Sequence, residues 1–360
     1  MLQVMFSPIG FVAFTMLQVV FIGIITLLKK SKLSLFILTI SITIIGVYIG
    51  FANRWGYDSI HYYIPLYDGD TSRQFEPGFT LLIYGFRAIG IPSDLFPVVT
   101  MVIAVWVAFI AILKLTNEYK QTAIIALCLT SMISFMYLYM GGMRQAISFS
   151  FVLLSIVYQS QKRPIKYYIS IAIAIALHFS ALVFLIIPIW RRVNFKKKYT
   201  IILLSLIFAL ISEYLVGFIL KILPPGSIFT DKMIRAFEYS DRNSEHVTYI
   251  YKFLFSTLFI FIPIFLGLSK VVENKNATLI FEYALLSYVF SALLFFTKES
   301  SIRYLFAVNI LLVSFYIMCI EQFFVKSQKT LVTLIIVLFF LMYSFLSHNW
   351  LSNLVMRFIE

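Results

Sequence analysis

Long runs of apolar residues, each followed by a short polar stretch, repeat along most of the 360-residue chain. A run of about 20 apolar residues is long enough to cross the hydrocarbon core of a bilayer as an α-helix. A helix satisfies its own backbone in lipid, and these runs are too long and too evenly apolar to be barrel strands. We predict transmembrane helices over the runs Ile9–Leu28, Leu33–Ala52, Leu95–Leu115, Thr122–Met140, Arg144–Tyr158, Thr200–Leu220, Thr248–Ser269, Ala277–Thr297, Tyr304–Ile320 and Leu331–Leu346.

Two further apolar segments do not fit the pattern of a simple span. Residues 77–91 are too few to cross a bilayer at about 1.5 Å of rise per residue. Residues 165–190 are long enough to cross once, but basic stretches flank them on both sides. We expect both to be re-entrant or broken helices, or short helix hairpins, which are tolerated where they are buried in protein or line a wet cavity. The alternative for residues 165–190 is one straight transmembrane helix. That helix would place one of its two basic flanks on the outer face, against the usual preference of basic loops for the cytoplasmic side.

These patterns predict an all-α polytopic integral membrane protein, with about 10–12 transmembrane helices in one transmembrane domain over residues 1–360. The composition agrees, because 61% of the residues are hydrophobic and 12% are charged, against about 25% charged residues in a soluble domain. The first residues, MLQVMFSPIG, contain no basic residue, so we expect the first helix to be retained rather than cleaved as a signal peptide. Cys128 and Cys319 lie inside apolar runs and are interpreted as small buried residues.

The net charge of +13 comes from lysines and arginines that cluster in short loops between the apolar runs. Such loops are typically cytoplasmic, so we place KKSK, QKRPIK and RRVNFKKK on the cytoplasmic side. This orientation puts the loops 53–77 and 223–247 on the outer face. The excess of positive charge therefore indicates how the loops are placed across the membrane, and we expect no nucleic acid as a partner.

The outer loop 53–77 mixes charged and aromatic side chains, as suits a sugar ligand, since rings stack on its apolar faces and polar groups bond its hydroxyls. Asp58 and Glu76 are the candidate catalytic residues of this loop. An aromatic belt at the headgroup level is the alternative for the tyrosines, and the N-cap of the following helix is the alternative for Glu76. The candidate substrate-binding residues of the loop are Arg54, Tyr57, Tyr62 and Tyr63.

Three positions in or at the ends of apolar runs carry further candidate chemistry. Arg144, in GGMRQ, and Arg303, in SIRYLF, begin apolar runs at the outer side, where a guanidinium can bind a phosphate or snorkel to headgroups. His178 lies within the apolar stretch ALHFSAL, where a polar side chain lines a functional cavity or is a satisfied structural residue. No second His or Cys stands at ligand spacing, so we predict no metal site. Arginines beside aromatic residues suggest a lipid-linked pyrophosphate sugar as the ligand.

Four motifs in this order resemble the EpsG family, bacterial exopolysaccharide and O-antigen polymerases of the Wzy type. They are YDSIHYY…FEPGFTLL, RQAISFSFVLLSIVY, ALHFSALVF and RYLF, and together they span roughly residues 58 to 304. Ser148 departs from the small apolar residues that are common after the RQ pair. The resemblance implies a membrane glycosyltransferase architecture similar to the GT-C type. The functional residues that it implies are Asp58, Glu76, Arg144, Gln145, His178, Arg303 and Tyr304.

The resemblance implies a polymerase at the periplasmic or outer face of the bacterial inner (plasma) membrane. Such an enzyme transfers a growing glycan from undecaprenyl pyrophosphate to a hydroxyl of the next lipid-linked repeat unit. Guanidinium groups, Arg144 and Arg303 first and Arg54 third, would neutralise the pyrophosphate leaving group, and no metal or other cofactor would be needed. Asp58, Glu76 or His178 would act as the general base, and we favour a carboxylate of the outer loop. The implied partners are the lipid-linked oligosaccharide as donor and acceptor, membrane lipids, a chain-length regulator and a flippase.

Two other functions remain open at this point. A flippase or exporter of the same lipid-linked sugar would need a basic cavity too, but a transporter carries polar groups along a path through the midplane, whereas here they gather at the outer end. A ligase that transfers O-antigen to another acceptor would share the chemistry and differ in the acceptor. A membrane acyltransferase is a weaker alternative, because no His–Asp acyl-transfer signature is evident.

Overall fold

The structure is a computed structural model that describes residues 8–28, 31–56, 58–70, 75–130, 132–222, 246–265, 273–295 and 297–323. All regular secondary structure in these ranges is helical, which confirms the prediction of an all-α fold. Four of the helices in these ranges are long and apolar enough to cross a membrane: Lys32–Arg54, Phe96–Thr116, Lys275–Leu293 and Ser300–Ile320. The protein is therefore a multi-pass membrane protein. The predicted span 331–346, and the predicted outer loop 223–247 up to residue 245, lie outside the described residues.

The helices of the first part of the chain are, in order, α1 Pro8–Leu28, α2 Lys32–Arg54, a π turn at Ser59–Tyr63, α3 Ile64–Asp68, α4 Pro77–Ala88, α5 Phe96–Thr116, α6 Tyr119–Thr130, α7 Ile133–Gly141 and α8 Met143–Ser160. Those that follow are α9 Pro164–Leu177, a 3₁₀ segment Phe179–Ile186, α10 Ile187–Trp190, α11 Phe195–Ile222, α12 His246–Phe265, α13 Lys275–Leu293 and α14 Lys298–Phe323. Most of these elements coincide with the predicted runs to within a few residues.

The chain divides into two compact units. The first contains Met1–Leu185, Glu273–Leu279 and Val313–Glu360, and the second contains Ile186–Val272 and Ile280–Leu312. The prediction of a single transmembrane domain stays a prediction.

Helices α2 and α5 cross in the first unit with almost no space between their backbones. A Cβ atom on Gly46 would lie 2.8 Å from the Cα of Val102, and one on Gly50 would lie 2.6 Å from the Cα of Val98. The two glycines are four residues apart and share one helix face, the arrangement by which small residues let membrane helices approach closely. This contact lies near the C-terminal end of α2, from which the polar loop departs.

The predicted span Thr122–Met140 is wrong, because the structure replaces it with the two shorter helices α6 and α7. The hydroxyl of Thr130 donates to the carbonyl oxygens of Ala126 and Leu127, at 2.8 and 3.1 Å. Such bonding to the preceding turn bends helices. Met132 then takes an extended conformation, with φ −92° and ψ 129°, before α7 begins.

The predicted break within residues 165–190 is confirmed. Helix α9 ends at Leu177, and His178 is extended, with φ −161° and ψ 126°. The phenol of Tyr167, in the first turn of α9, donates a 2.6 Å hydrogen bond to the carbonyl oxygen of Phe184. Because these residues lie on opposite sides of the break, the chain doubles back along α9 and forms a hairpin with His178 at its tip.

The segment 77–91 is short, as predicted, since α4 ends at Ala88. Its first turn packs directly against the end of α9. A Cβ atom on Gly78 would lie 2.8 Å from the C, O and Cβ atoms of Ala176. The start of this short helix therefore meets the tip of the hairpin, two residues from His178.

Candidate functional site

The outer loop begins with an anchor at the end of α2. Asn53 is buried, and its Nδ2 donates a 2.6 Å hydrogen bond to the carbonyl oxygen of Tyr139 in α7. The hydroxyl of Ser59 donates to Asn53 Oδ1 at 3.3 Å. The amide side chain thus fixes the position at which the loop turns into the π turn.

The π turn directs Tyr63 into the protein, where the side chain is buried. π-helical turns are frequent at functional sites. The Tyr63 hydroxyl donates to Asp58 Oδ2 at 3.3 Å and accepts from Arg144 Nε at 3.1 Å. Burial raises the pKa of the Tyr63 phenol. The phenol therefore stays protonated and can serve as the donor to Asp58.

Glu76 stands at the first position before α4 and is buried. Its carboxylate makes no capping hydrogen bond to the helix; instead Oε2 accepts from Arg144 Nη1 at 2.6 Å. Between the two readings of the sequence, a helix cap or a site residue, the geometry favours the site. The carboxylate belongs to a pair with the guanidinium of another helix.

Arg144 occupies the second position of α8, and one residue, Met143, separates it from the glycine pair that precedes the helix. Its guanidinium lies 4.7 Å from the ring centre of Phe75 and 5.8 Å from that of Tyr63. With the bonds to Tyr63 and Glu76, these ring contacts hold the guanidinium in one orientation. The side chain is nevertheless 24% exposed, so part of the guanidinium remains accessible, whereas a snorkelling arginine would extend to the headgroups.

His178 approaches Glu76 from the tip of the hairpin. Its Nδ1 accepts from the backbone N–H of Ser180 at 3.2 Å and lies 2.8 Å from the Ser180 hydroxyl. Since a backbone N–H can only donate, Nδ1 is an acceptor, and the neutral ring carries its hydrogen on Nε2. The imidazole therefore offers a donor at Nε2.

The electrostatic surroundings keep Glu76 ionised. Burial opposes its charge, but its own backbone N–H, the Arg144 guanidinium and the nearby His178 together outweigh that effect and hold the pKa of Glu76 below its usual range. At neutral pH the site therefore contains an ionised carboxylate clamped to a fixed guanidinium.

The structure thus brings together five of the residues proposed from sequence: Asp58, Tyr63, Glu76, Arg144 and His178. We call them the arginine cluster. They come from the outer loop, α8 and the tip of the hairpin, and aromatic rings border them. Such a site can hold an anion at the guanidinium, and it offers carboxylates that can accept a proton.

Other proposed residues lie elsewhere. Arg54 pairs with Asp94 at 2.7 Å, and its guanidinium lies 5.4 Å from the Trp55 ring centre. Tyr62 is half-buried and contacts the ring of His61 edge-on. Tyr57 lies outside the described residues.

Gln145 is buried on α8, directly after Arg144. Arg303 and Tyr304 lie in the second turn of α14 and belong to the second unit. Arg303 is half-buried there, and Tyr304 is buried with its ring 6.2 Å from that of Phe290. The described residues contain no group of three or more His, Cys, Asp or Glu side chains that could hold a metal ion.

Sequence reasoning missed two residues that shape the arginine cluster. Phe75 supplies the ring closest to the guanidinium, and Gly78 permits the contact that brings Glu76 to the hairpin. A glycine inside an apolar helical run usually has a packing reason, so Gly78 carried a readable signal.

A buried ion pair in the second unit was missed as well. Lys198 Nζ lies 2.6 Å from Glu282 Oε1, and the two side chains are 3% and 9% exposed. The ammonium also lies 5.6 Å from the ring centres of Trp190 and Phe195. Lys198 closes the basic stretch RRVNFKKK, so its sequence context suggested a solvated loop.

These observations define a class: a multi-pass helical membrane protein with a fixed, partly accessible arginine where a short helix meets the tip of a broken one. The family model of the EpsG family matches residues 35–359. The chain therefore belongs to the EpsG family, as its motifs indicated. No curated protein and no solved structure matches the chain.

Proposed function

We propose that this protein is the polymerase that joins undecaprenyl-pyrophosphate-linked oligosaccharide repeat units into a long polysaccharide. The observation that carries the proposal is the guanidinium of Arg144, which Tyr63 and Glu76 hold in place while the side chain stays 24% exposed. A fixed guanidinium matches a pyrophosphate, the group that must leave in this reaction. Membership of the EpsG family supports a polysaccharide polymerase-type membrane protein.

The reaction needs few parts. The hydroxyl oxygen of the acceptor sugar attacks the anomeric carbon of the donor glycan as the bond from that carbon to the pyrophosphate oxygen breaks. The lipid pyrophosphate leaves with the electron pair, and Arg144 neutralises the charge that develops on it. A general base takes the proton of the attacking hydroxyl. Arg303, in the second turn of α14, is proposed as a further group that binds substrate.

The proposal extends to location and partners. The site faces the periplasm or exterior of the bacterial plasma membrane, where finished lipid-linked repeat units serve as both donor and acceptor. A flippase that delivers these units and a chain-length regulator are the proposed protein partners. Neither a metal ion nor an organic cofactor enters the proposed reaction.

The test uses the purified full-length protein in lipid nanodiscs, supplied with one lipid-linked repeat unit. We expect a ladder of longer glycans in the presence of EDTA, and a rate at least about 100-fold lower for Arg144→Gln. The matched control is Arg87→Gln, because Arg87 is an exposed arginine of α4, and we expect it to keep the wild-type ladder. Failure of the wild-type protein to extend the repeat unit would contradict the proposal.

A further inference from the structure

We propose that the two carboxylates of the arginine cluster have different tasks. Glu76 is a positioning residue that locks Arg144 in the orientation for pyrophosphate, and Asp58 is the catalytic base for the acceptor hydroxyl. This assignment rests on the proposed glycosyl transfer.

Two of the three nitrogen atoms of the Arg144 guanidinium already donate hydrogen bonds. Its Nε donates to the Tyr63 hydroxyl at 3.1 Å, and its Nη1 donates to Glu76 Oε2 at 2.6 Å. Within the part of the chain that the structure describes, Nη2 makes no hydrogen bond. The pyrophosphate is therefore expected to bind at the N–H groups of Nη2. Glu76 then acts by fixing the guanidinium before the anion arrives, which reduces the ordering needed on binding.

Glu76 is poorly suited to be the base. Its carboxylate is in direct contact with the group that binds the leaving pyrophosphate, whereas an in-line attack brings the hydroxyl to the opposite face of the anomeric carbon. The Arg144 guanidinium also lowers the pKa of this carboxyl group, which weakens it as a proton acceptor. Both observations assign Glu76 to the leaving-group side.

His178 is also unsuited to be the base in its neutral form. Nδ1 already accepts the Ser180 N–H, and Nε2 carries the hydrogen. A donor close to the Glu76–Arg144 pair fits an interaction with the oxygen atoms of pyrophosphate. His178 therefore joins the leaving-group side as a hydrogen-bond donor.

Asp58 is linked to the guanidinium through the Tyr63 hydroxyl. Its Oδ2 accepts the phenol O–H at 3.3 Å, and the same phenol oxygen accepts Arg144 Nε at 3.1 Å. The Asp58 carboxylate therefore meets the Arg144 group through the phenol, whereas Glu76 binds the guanidinium directly, and this difference favours Asp58 as the proton acceptor. Asp58 is also half-buried rather than buried like Glu76, so an incoming hydroxyl has access to it.

The step balances without any further reactant. The proton of the acceptor hydroxyl passes to the Asp58 carboxylate as the new bond from oxygen to the anomeric carbon forms. The bond from that carbon to the pyrophosphate oxygen breaks, and the pyrophosphate takes the electron pair. The protonated Asp58 then returns its proton to solvent when the products leave.

The experiment compares the amide variants Asp58→Asn and Glu76→Gln, which keep the shape of each side chain and remove its charge. Binding of undecaprenyl pyrophosphate is measured by calorimetry in nanodiscs, separately from the rate of glycan extension. We expect Asp58→Asn to lower the rate about 100-fold or more while the affinity for the pyrophosphate lipid stays within threefold of wild type. We expect Glu76→Gln to weaken that affinity about tenfold or more and to keep the acidic limb of the pH–rate profile, and Glu76→Asp to recover part of the affinity.

The assignment is overturned if Asp58→Asn keeps more than a tenth of the wild-type rate, or weakens lipid binding as much as Glu76→Gln does. It is also overturned if Glu76→Gln binds the lipid normally. Circular dichroism and the melting temperature show whether each variant is folded. Asp58→Ala, which also removes the carboxylate, replaces Asp58→Asn if that variant is not folded. If the wild-type protein binds the pyrophosphate lipid and makes no polymer, the proposed function fails, and the binding contrast still tests the role of Glu76.

Discussion

The contact between Gly78 and Ala176 offers the sharpest test of how the arginine cluster is assembled. Replacing Gly78 with alanine places a Cβ 2.8 Å from three atoms of Ala176, two of them backbone atoms. Ordinary contacts begin at 3.4 Å, so α4 must move away from α9 by about 0.6 Å, the difference between these distances. Glu76, two residues earlier, moves with it and away from His178.

The displacement sets the expected loss of both rate and stability. A misplacement of about 1 Å in a catalytic arrangement lowers the rate about 100-fold, so a shift of 0.6 Å is expected to lower the rate of glycan extension roughly tenfold or more. Crowding at the helix contact destabilises the protein by about 1–3 kcal/mol. The assay is the initial rate of extension in nanodiscs, together with the melting temperature in detergent.

Gly85 provides the matched control on the same helix. A Cβ added there has no atom within 4 Å, and alanine is favoured over glycine in a helix by about 1 kcal/mol. We expect Gly85→Ala to keep the wild-type rate and to match or exceed its melting temperature. If Gly78→Ala retains a rate within twofold of Gly85→Ala, the contact between the two segments does not position the site, and the reasoning is refuted.

Three further predictions concern charged pairs. Glu282→Gln leaves the buried charge of Lys198 without a partner, and we expect it to destabilise the protein by about 3–5 kcal/mol. The apolar double variant Lys198→Met/Glu282→Leu is expected to restore most of the melting temperature that Glu282→Gln loses. Arg54→Gln removes a partly exposed pair with Asp94, and we expect it to change the unfolding free energy by less than about 1 kcal/mol in denaturant titrations. Because the pKa of Glu76 is lower in the folded than in the unfolded protein, its stabilising charge is present at neutral pH and is lost as the pH falls through the folded pKa. Melting temperatures of wild type and Glu76→Gln are therefore expected to converge in acid, and a constant difference would contradict this.

Much of the fold could be predicted from hydrophobic periodicity because lipid imposes a strong constraint on helix length. The run 33–52 became α2, and the run 95–115 became α5, with ends that shift by one or two residues. The break near His178 was predictable too, since basic residues on both flanks conflict with a single crossing. The split between α6 and α7 was not, because the run 122–140 contains no Gly, Pro or charged residue that would mark a break.

The arginine cluster was predicted as a set of residues but not as a geometry. Asp58, Arg144 and His178 stood out because charge is rare in an apolar chain. Their connection through the Tyr63 phenol depends on the π turn, which no periodicity reveals. For Arg54 the sequence was misleading. An arginine in this loop suggested a phosphate ligand, but its guanidinium pairs with Asp94 in the structure.

The measurement that tests the central claim most directly is the length of lipid-linked glycan in cells that lack the gene. The cells are complemented with wild type or with Arg144→Gln, and the glycan is resolved on a gel and probed for exposure at the outer face. The account predicts long chains with wild type, and single repeat units at the outer face with the empty vector and with Arg144→Gln. Repeat units that stay on the cytoplasmic face would indicate a flippase, and long lipid-linked polymer that accumulates without the gene would indicate a ligase; either result would contradict the account.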